Sequence, residues 1–172
     1  LQTSRPEGIV SSMKEIKPSI MTVVPLLVKI IHNSILHELN NCPVHRRLLF
    51  FTALNISKLF RKFGVNCGRQ LFGGIHRQFG GSLRYMLCGG APLDKAIARD
   101  LDLLGIPILQ GYGLTESSPT ISVNTLKENR IGSVGKPLPG VEVKILREDE
   151  RDKVGEIITR GPHVMKGYLD DI

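Results

Sequence analysis

Apolar and polar positions follow two different rhythms along this chain, and the change of rhythm divides it. "PSIMTVVPLLVKIIHNSILHEL" (residues 18–39) opens on a β-branched stretch and passes at Pro25 into apolar residues at helical spacing. That spacing predicts a helix with Leu27, Ile30, Ile31, Ser34 and Ile35 on one side. "HRRLLFFTALNISKLFRKF" (residues 45–63) predicts a second helix, and the glycine-broken "FGVNCGRQLFGG" reads as a connector. A short strand follows over Leu83–Cys88, ending in two glycines. "PLDKAIARDLDLLG" then predicts a helix with Pro92 in its first turn, an apolar stripe of Leu93, Ile97, Leu101 and Leu104, and Gly105 as its stop. Ile106–Leu109 reads as a further strand. Strand, helix and strand in succession make a βαβ unit, with parallel strands and a right-handed crossover.

After Asn124 the rhythm shortens. "IGSVGKPLPGVEVKI", "GEIITRGP" and "VMKGYL" are brief runs broken by Gly and Pro, with "REDERDKVG" as a charged turn. They predict an antiparallel meander or part of a barrel. The fold class expected is therefore α/β: a parallel-sheet βαβ portion over residues 1–122, then a short antiparallel β portion, a distorted barrel, over residues 123–172.

Composition narrows the class without choosing a function. The chain has 172 residues, 41% of them hydrophobic and 23% charged, which suits one sizeable core, or one domain plus a smaller appendage. No run approaches the roughly 20 apolar residues of a membrane span, and the first residues lack a signal-peptide pattern. Cys42, Cys67 and Cys88 are odd in number and lack metal-ligand spacing, which suits reduced thiols in the cytoplasm. A net charge of +7 permits a basic module that binds nucleic acid or anionic lipid. Arg46, Arg47, Lys58, Arg61 and Lys62 give the second predicted helix a basic surface, which fits a solvated face and also permits peripheral membrane association.

The candidate chemistry lies in two loops, "CGGAP" and "GYGLTE", each leaving the carboxyl end of a predicted parallel strand. Ligands of open parallel sheets bind beyond those ends. Gly111 and Gly113 would strip side chains from either side of Tyr112, leaving its ring free to stack on a flat ligand. Gly89 and Gly90 would admit a planar base close to backbone. Thr115 offers a hydroxyl to a phosphate oxygen. Glu116 makes sense beside phosphate only with a hard cation between them, and Mg²⁺ takes one or two carboxylates plus substrate phosphates. The plainer readings are a Gly-Tyr-Gly turn, a helix cap at Thr115 or Ser117, and a tight strand-to-helix turn at Gly89 and Gly90.

"GYGLTE" resembles the Tyr-Gly-x-Thr-Glu signature of the adenylate-forming superfamily, which includes acyl-CoA synthetases, peptide-synthetase adenylation domains and luciferases. "LRYMLCGGAPLD" is similar to the family's adenine-pocket strand and loop, and "VGKPLPGVEVKI…GEIITRGPHVMKGYL" to a later family segment. "PSIMTVVPLLVKI" resembles a family strand and helix, and the basic stretch after it resembles an insertion of long-chain fatty acyl-CoA synthetases. The resemblance implies that Tyr112 stacks on adenine, with Gly90, Ala91 and Pro92 on the pocket's other side. It also implies that Thr115 binds the α-phosphate and Glu116 coordinates Mg²⁺. Gly155, Glu156, Gly167 and Tyr168 then read as braces of the β portion, and His163 and Lys166 as exposed bystanders. The implied reactants are a fatty acid, ATP and coenzyme A, with no nucleic acid. The alternative is another carboxylate, or transfer to a carrier protein.

The family's Ser/Thr/Gly-rich pyrophosphate loop would lie before residue 1, and its ribose-binding Asp and catalytic lysine beyond Ile172. A central fragment of the large N-terminal domain is therefore the expectation. Such a fragment would be inactive by itself and inclined to self-associate through uncovered strand edges.

Overall fold

In the computed structural model, which describes residues 6–149 and 151–169, a helix (α1, Pro6–Ile16) precedes a strand (β1, Ile20–Val23). The β-branched run forms β1. Val24 stays extended at φ −100° and ψ 156° before proline, so helix α2 (Pro25–Asn40) begins with Pro25 in its first turn. The buried face of α2 is Val28, Ile31, His32 and Ile35. Leu27 and Ile30 flank it half-buried, but Ser34, which the spacing places on that face, is exposed. The face is rotated towards His32, whose Nε2 lies 3.0 Å from an Asp100 carboxylate oxygen.

Helix α3 (Val44–Lys62) buries only Ser57. Its basic surface is not uniform. Arg46, Arg47, Lys58 and Lys62 are exposed, whereas Arg61 donates two hydrogen bonds, at 2.7 and 2.8 Å, to the carboxylate of buried Asp102. Ser57 adds a hydroxyl bond to the Leu103 carbonyl at 2.7 Å. The expected connector contains two short helices, α4 (Gly68–Leu71) and α5 (Gly73–Gln78). A side chain at Gly68 would meet the Gly105 backbone nitrogen at 2.3 Å, so glycine there permits close backbone packing.

Strand β2 (Tyr85–Cys88) pairs parallel with β1, from Ile20 opposite Tyr85 to Val23 opposite Cys88. It starts two residues later than the apolar run suggests; Leu83 is still buried, and its carbonyl accepts from Arg69 at 2.8 Å. Helix α6 (Lys95–Leu103) also begins later than expected. Asp94 caps it by accepting from the Ala96 N–H at 2.7 Å, which leaves Pro92 in the loop before the helix. At its other end the N–H groups of Gly105 and Ile106 reach back to Asp102 and Leu101, with Gly105 at φ +85°. That pair of bonds is a Schellman stop, and it confirms Gly105 in the terminating role. Leu101, Ile106 and Ile108 have no exposed surface or almost none, and with Val28, Ile31 and Met86 they form the centre of the apolar core.

The chain divides into two compact units after Leu109. Strand β3 (Ile108–Tyr112) starts in the first, where the Met86 N–H bonds the Pro107 carbonyl and the strand order is β1-β2-β3. The second unit carries its remaining residues. There β4 (Ser122–Val123) pairs antiparallel with β3, and β5 (Lys136–Pro137) antiparallel with β4. A separate hairpin joins β6 (Glu142–Leu146) to β7 (Glu156–Arg160), antiparallel and largely exposed. The α/β class with an appended antiparallel portion is thus borne out, although no closed barrel forms among the described residues. No helix among them is long and apolar enough to cross a membrane.

Candidate functional site

The loop after β2 is held to the first unit by its backbone: the Gly89 N–H lies 3.4 Å from the Val23 carbonyl. Gly90 has φ +86°, and a Cβ placed there would meet nothing within 4 Å. Glycine is therefore needed for its backbone angle and not for lack of room. Gly89 is half-buried, while Gly90, Ala91 and Pro92 are exposed.

In the second unit, β3 runs on through "QGY", so Gly111 and Tyr112 lie in a strand opposite Val123 and Ser122 and not in the expected turn. The antiparallel partner captures them: the Ile121 N–H donates to the Tyr112 carbonyl at 2.9 Å. The turn proper begins at Gly113. A Cβ there would sit 1.6 Å from the Pro119 carbonyl oxygen, so glycine at 113 permits the loop to fold on itself.

A single 3-10 turn, Thr115–Ser117, presents the polar side chains. Buried Ser117 holds it, its hydroxyl accepting from the Leu114 N–H at 2.9 Å and donating to the Leu114 carbonyl at 2.8 Å. Ser117 is therefore structural. Thr115 is exposed and Glu116 half-exposed. The Tyr168 hydroxyl donates to Glu116 Oε1 at 2.6 Å, and the Met165 N–H donates to the Glu116 carbonyl at 2.9 Å. The phenol holds the Glu116 carboxyl below the usual carboxylate range, and the carboxylate pushes the Tyr168 hydroxyl up in return.

Glu116 is thus an anion in an accessible turn. Among the described residues no group of three or more His, Cys, Asp or Glu could hold a metal by itself. A lone carboxylate fits Mg²⁺ shared with substrate phosphates and does not fit a cage made by protein alone. A cavity of about 500 Å³ lies elsewhere in this unit, lined by residues including Asn124, Lys127, Arg130 and Lys136; none of the expected site residues lines it.

A sequence profile of AMP-binding enzymes matches residues 2–169. The chain belongs to this family. Palmitoyl-CoA ligase FUM16 of Gibberella moniliformis is 30% identical over 92% of this chain and 25% of its own length. The peroxisomal long chain acyl-CoA synthetase 7 of Arabidopsis thaliana is 31% identical over 91% of this chain and 24% of its own. A shorter match, 42% identical over 49% of this chain and 18% of the relative, is to the 2-succinylbenzoate–CoA ligase of Oceanobacillus iheyensis. Among solved structures, the o-succinylbenzoate coenzyme A synthetase of Bacillus subtilis in complex with ATP and magnesium ion has a TM-score of 0.61 at 24% identity. It covers 99% of this chain and 28% of that one, and the likeness establishes the fold alone. The chain spans about a quarter of the length of the long-chain relatives it matches.

Within the family match, Gly89–Pro92 belong to the first unit, and Gly111–Gly113, Thr115 and Glu116 to the second. One sequence reading needs correction. His163 is half-buried and shares a 2.8 Å hydrogen bond with Thr159, so it is not an exposed bystander. Tyr168 contacts Glu116 across 52 positions, a contact that no local spacing rule encodes.

Proposed function

We propose that the protein containing this chain is an ATP-dependent long-chain fatty acid–CoA ligase. The observation that carries this reading is the family match over almost the whole chain, together with long-chain acyl-CoA relatives about 30% identical across nine-tenths of it. In the reaction proposed, a fatty carboxylate oxygen attacks the α-phosphorus of ATP. Pyrophosphate leaves and an acyl-adenylate forms. The coenzyme A thiol then attacks the acyl carbon, and AMP departs.

On this reading Tyr112 of the second unit stacks on the adenine, and Gly89, Gly90, Ala91 and Pro92 of the first carry the family's adenine-loop motif. The exposed Thr115 hydroxyl donates to an α-phosphate oxygen. The Glu116 carboxylate holds Mg²⁺, which when bound neutralises phosphate charge. No covalent attachment to the chain is required. ATP–pyrophosphate exchange by the whole protein, across carboxylic acids of graded length, tests the proposal. Exchange should be greatest with long-chain acids, and Thr115→Val should lower it by roughly 100-fold.

The match to a 2-succinylbenzoate–CoA ligase favours a second reading, activation of a different carboxylate. Exchange with aryl or dicarboxylic acids and none with fatty acids would replace the first reading by the second. Product analysis with coenzyme A and with a carrier protein separates the two acceptors.

A further inference from the structure

Two bonds fix the segment after β7 against the 3-10 turn. The Met165 N–H donates to the Glu116 carbonyl at 2.9 Å, and the Tyr168 hydroxyl donates to Glu116 Oε1 at 2.6 Å. The second distance is in the range of a hydroxyl bonded to an ionised carboxylate. Tyr168 is 61% exposed, so its ring contributes little as packing. The described contact of its hydroxyl is the Glu116 carboxylate itself. A side chain that only braced this unit would be expected to bury its ring.

We propose that Tyr168 is a positioning residue that orients the Glu116 carboxylate for its cation, an inference that rests on the reading of Glu116 as the Mg²⁺ ligand. A glutamate in an exposed turn has three rotatable side-chain bonds and samples many orientations. A hydrogen bond to one oxygen restricts them, and the backbone bond from Met165 keeps the tyrosine's own segment in place. Hydrogen-bond partners of ligating carboxylates set ligand orientation in metal sites generally, and their loss weakens metal binding. The chain thereby couples the end of the β6–β7 segment to the turn that presents Thr115 and Glu116.

The test uses the whole protein with Tyr168→Phe, Glu116→Ala and the double variant. Mn²⁺ binding in the presence of ATP is measured by electron paramagnetic resonance, alongside ATP–pyrophosphate exchange at varied Mg²⁺ and thermal melting. Tyr168→Phe keeps the ring and removes only the donor. It should weaken Mn²⁺ binding roughly ten-fold and raise the half-saturating Mg²⁺ by a similar factor. Most of the lost exchange should return at saturating Mg²⁺. The double variant should bind Mn²⁺ no more weakly than Glu116→Ala, because Tyr168 acts through Glu116.

Wild-type Mn²⁺ binding by Tyr168→Phe, with binding impaired in Glu116→Ala, would overturn the positioning role and leave the nucleotide reading standing. Unchanged binding by Glu116→Ala would remove the metal role of Glu116 and this inference with it. A fall in melting temperature, or failure to fold, with exchange lost at every Mg²⁺ concentration, would make Tyr168 a brace and overturn the inference. Additive losses in the double variant would do the same.

Discussion

Gly90 and Gly113 each stand in a loop that leaves a strand, yet they are glycines for opposite reasons. Around Gly90 there is open space, and only its φ of +86° disfavours a side chain. Around Gly113 a side chain would lie 1.6 Å from the Pro119 carbonyl oxygen and 2.8 Å from the Thr120 Cα. The first loop is accessible, with Gly90, Ala91 and Pro92 exposed before a well-capped helix. The second is folded against itself and held by buried Ser117, with Leu114, Thr115, Ser118 and Pro119 exposed and Glu116 half-exposed around it. Glycine richness in a loop therefore does not say whether the chain needs room or an angle there.

Gly113→Ala should break this comparison most severely. Neither the Pro119 carbonyl nor the Thr120 backbone can rotate away as a flexible side chain would, so the turn must rebuild. Stability should fall by about 1–3 kcal/mol or more, and ATP–pyrophosphate exchange by the whole protein should be lost. Unchanged exchange in that variant would refute the close approach. Gly90→Ala should cost less, about 1–2 kcal/mol from the left-handed backbone angle alone. Chemical denaturation of both variants measures the difference, and equal costs would erase the contrast.

Asp94→Ala sharpens the description of the first loop. It removes the acceptor for the Ala96 N–H at the start of α6 and should cost about 1 kcal/mol. A cost near zero would mean that Pro92, not Asp94, sets where the helix begins.

The smallest effect expected is a pH dependence confined to the first unit. His76 is buried, with Nε2 2.9 Å from the Leu104 carbonyl. Burial lowers its pKa below the ordinary 6.5, with a lesser contribution from nearby Arg69, against the raising effect of the Leu104 bond. The folded state thus holds the imidazole neutral, while the unfolded chain takes up a proton as pH falls through 6.5. The stability linked to His76 is present above that pH and is lost as the pH drops towards the folded value. Melting temperature measured from pH 7.5 down to 5 should decline, and His76→Gln should flatten the decline. An identical slope in that variant would assign the dependence to other groups.

Much of the architecture was legible in local patterning. Pro25 marked the start of α2, Gly105 marked the stop of α6, and the apolar runs around β2 and β3 located two strands of the sheet. Local rules erred where a distant partner competed. Leu27, Ile30 and Ser34 fit a helical stripe, but the contact with Asp100 draws His32 into the buried face. Tyr112 looked like a turn residue because two glycines flank it, yet pairing with Ser122 extends the strand through it. Arg61 read as part of a solvated basic face, whereas buried Asp102 claims its guanidinium.

The sequence by itself determined the family, the succession of the longer helices and the strands they connect from β1 to β3, and the residue types in the Tyr-Gly-x-Thr-Glu motif, since these are written in contiguous residues. Tertiary structure alone decided that Gly113 is jammed while Gly90 is merely bent, that Ser117 is internal while Thr115 is open, and that Tyr168 meets Glu116. Each of those outcomes depends on where a remote carbonyl, strand or side chain comes to rest. Spacing along a chain fixes which face a residue occupies, but not what arrives opposite it.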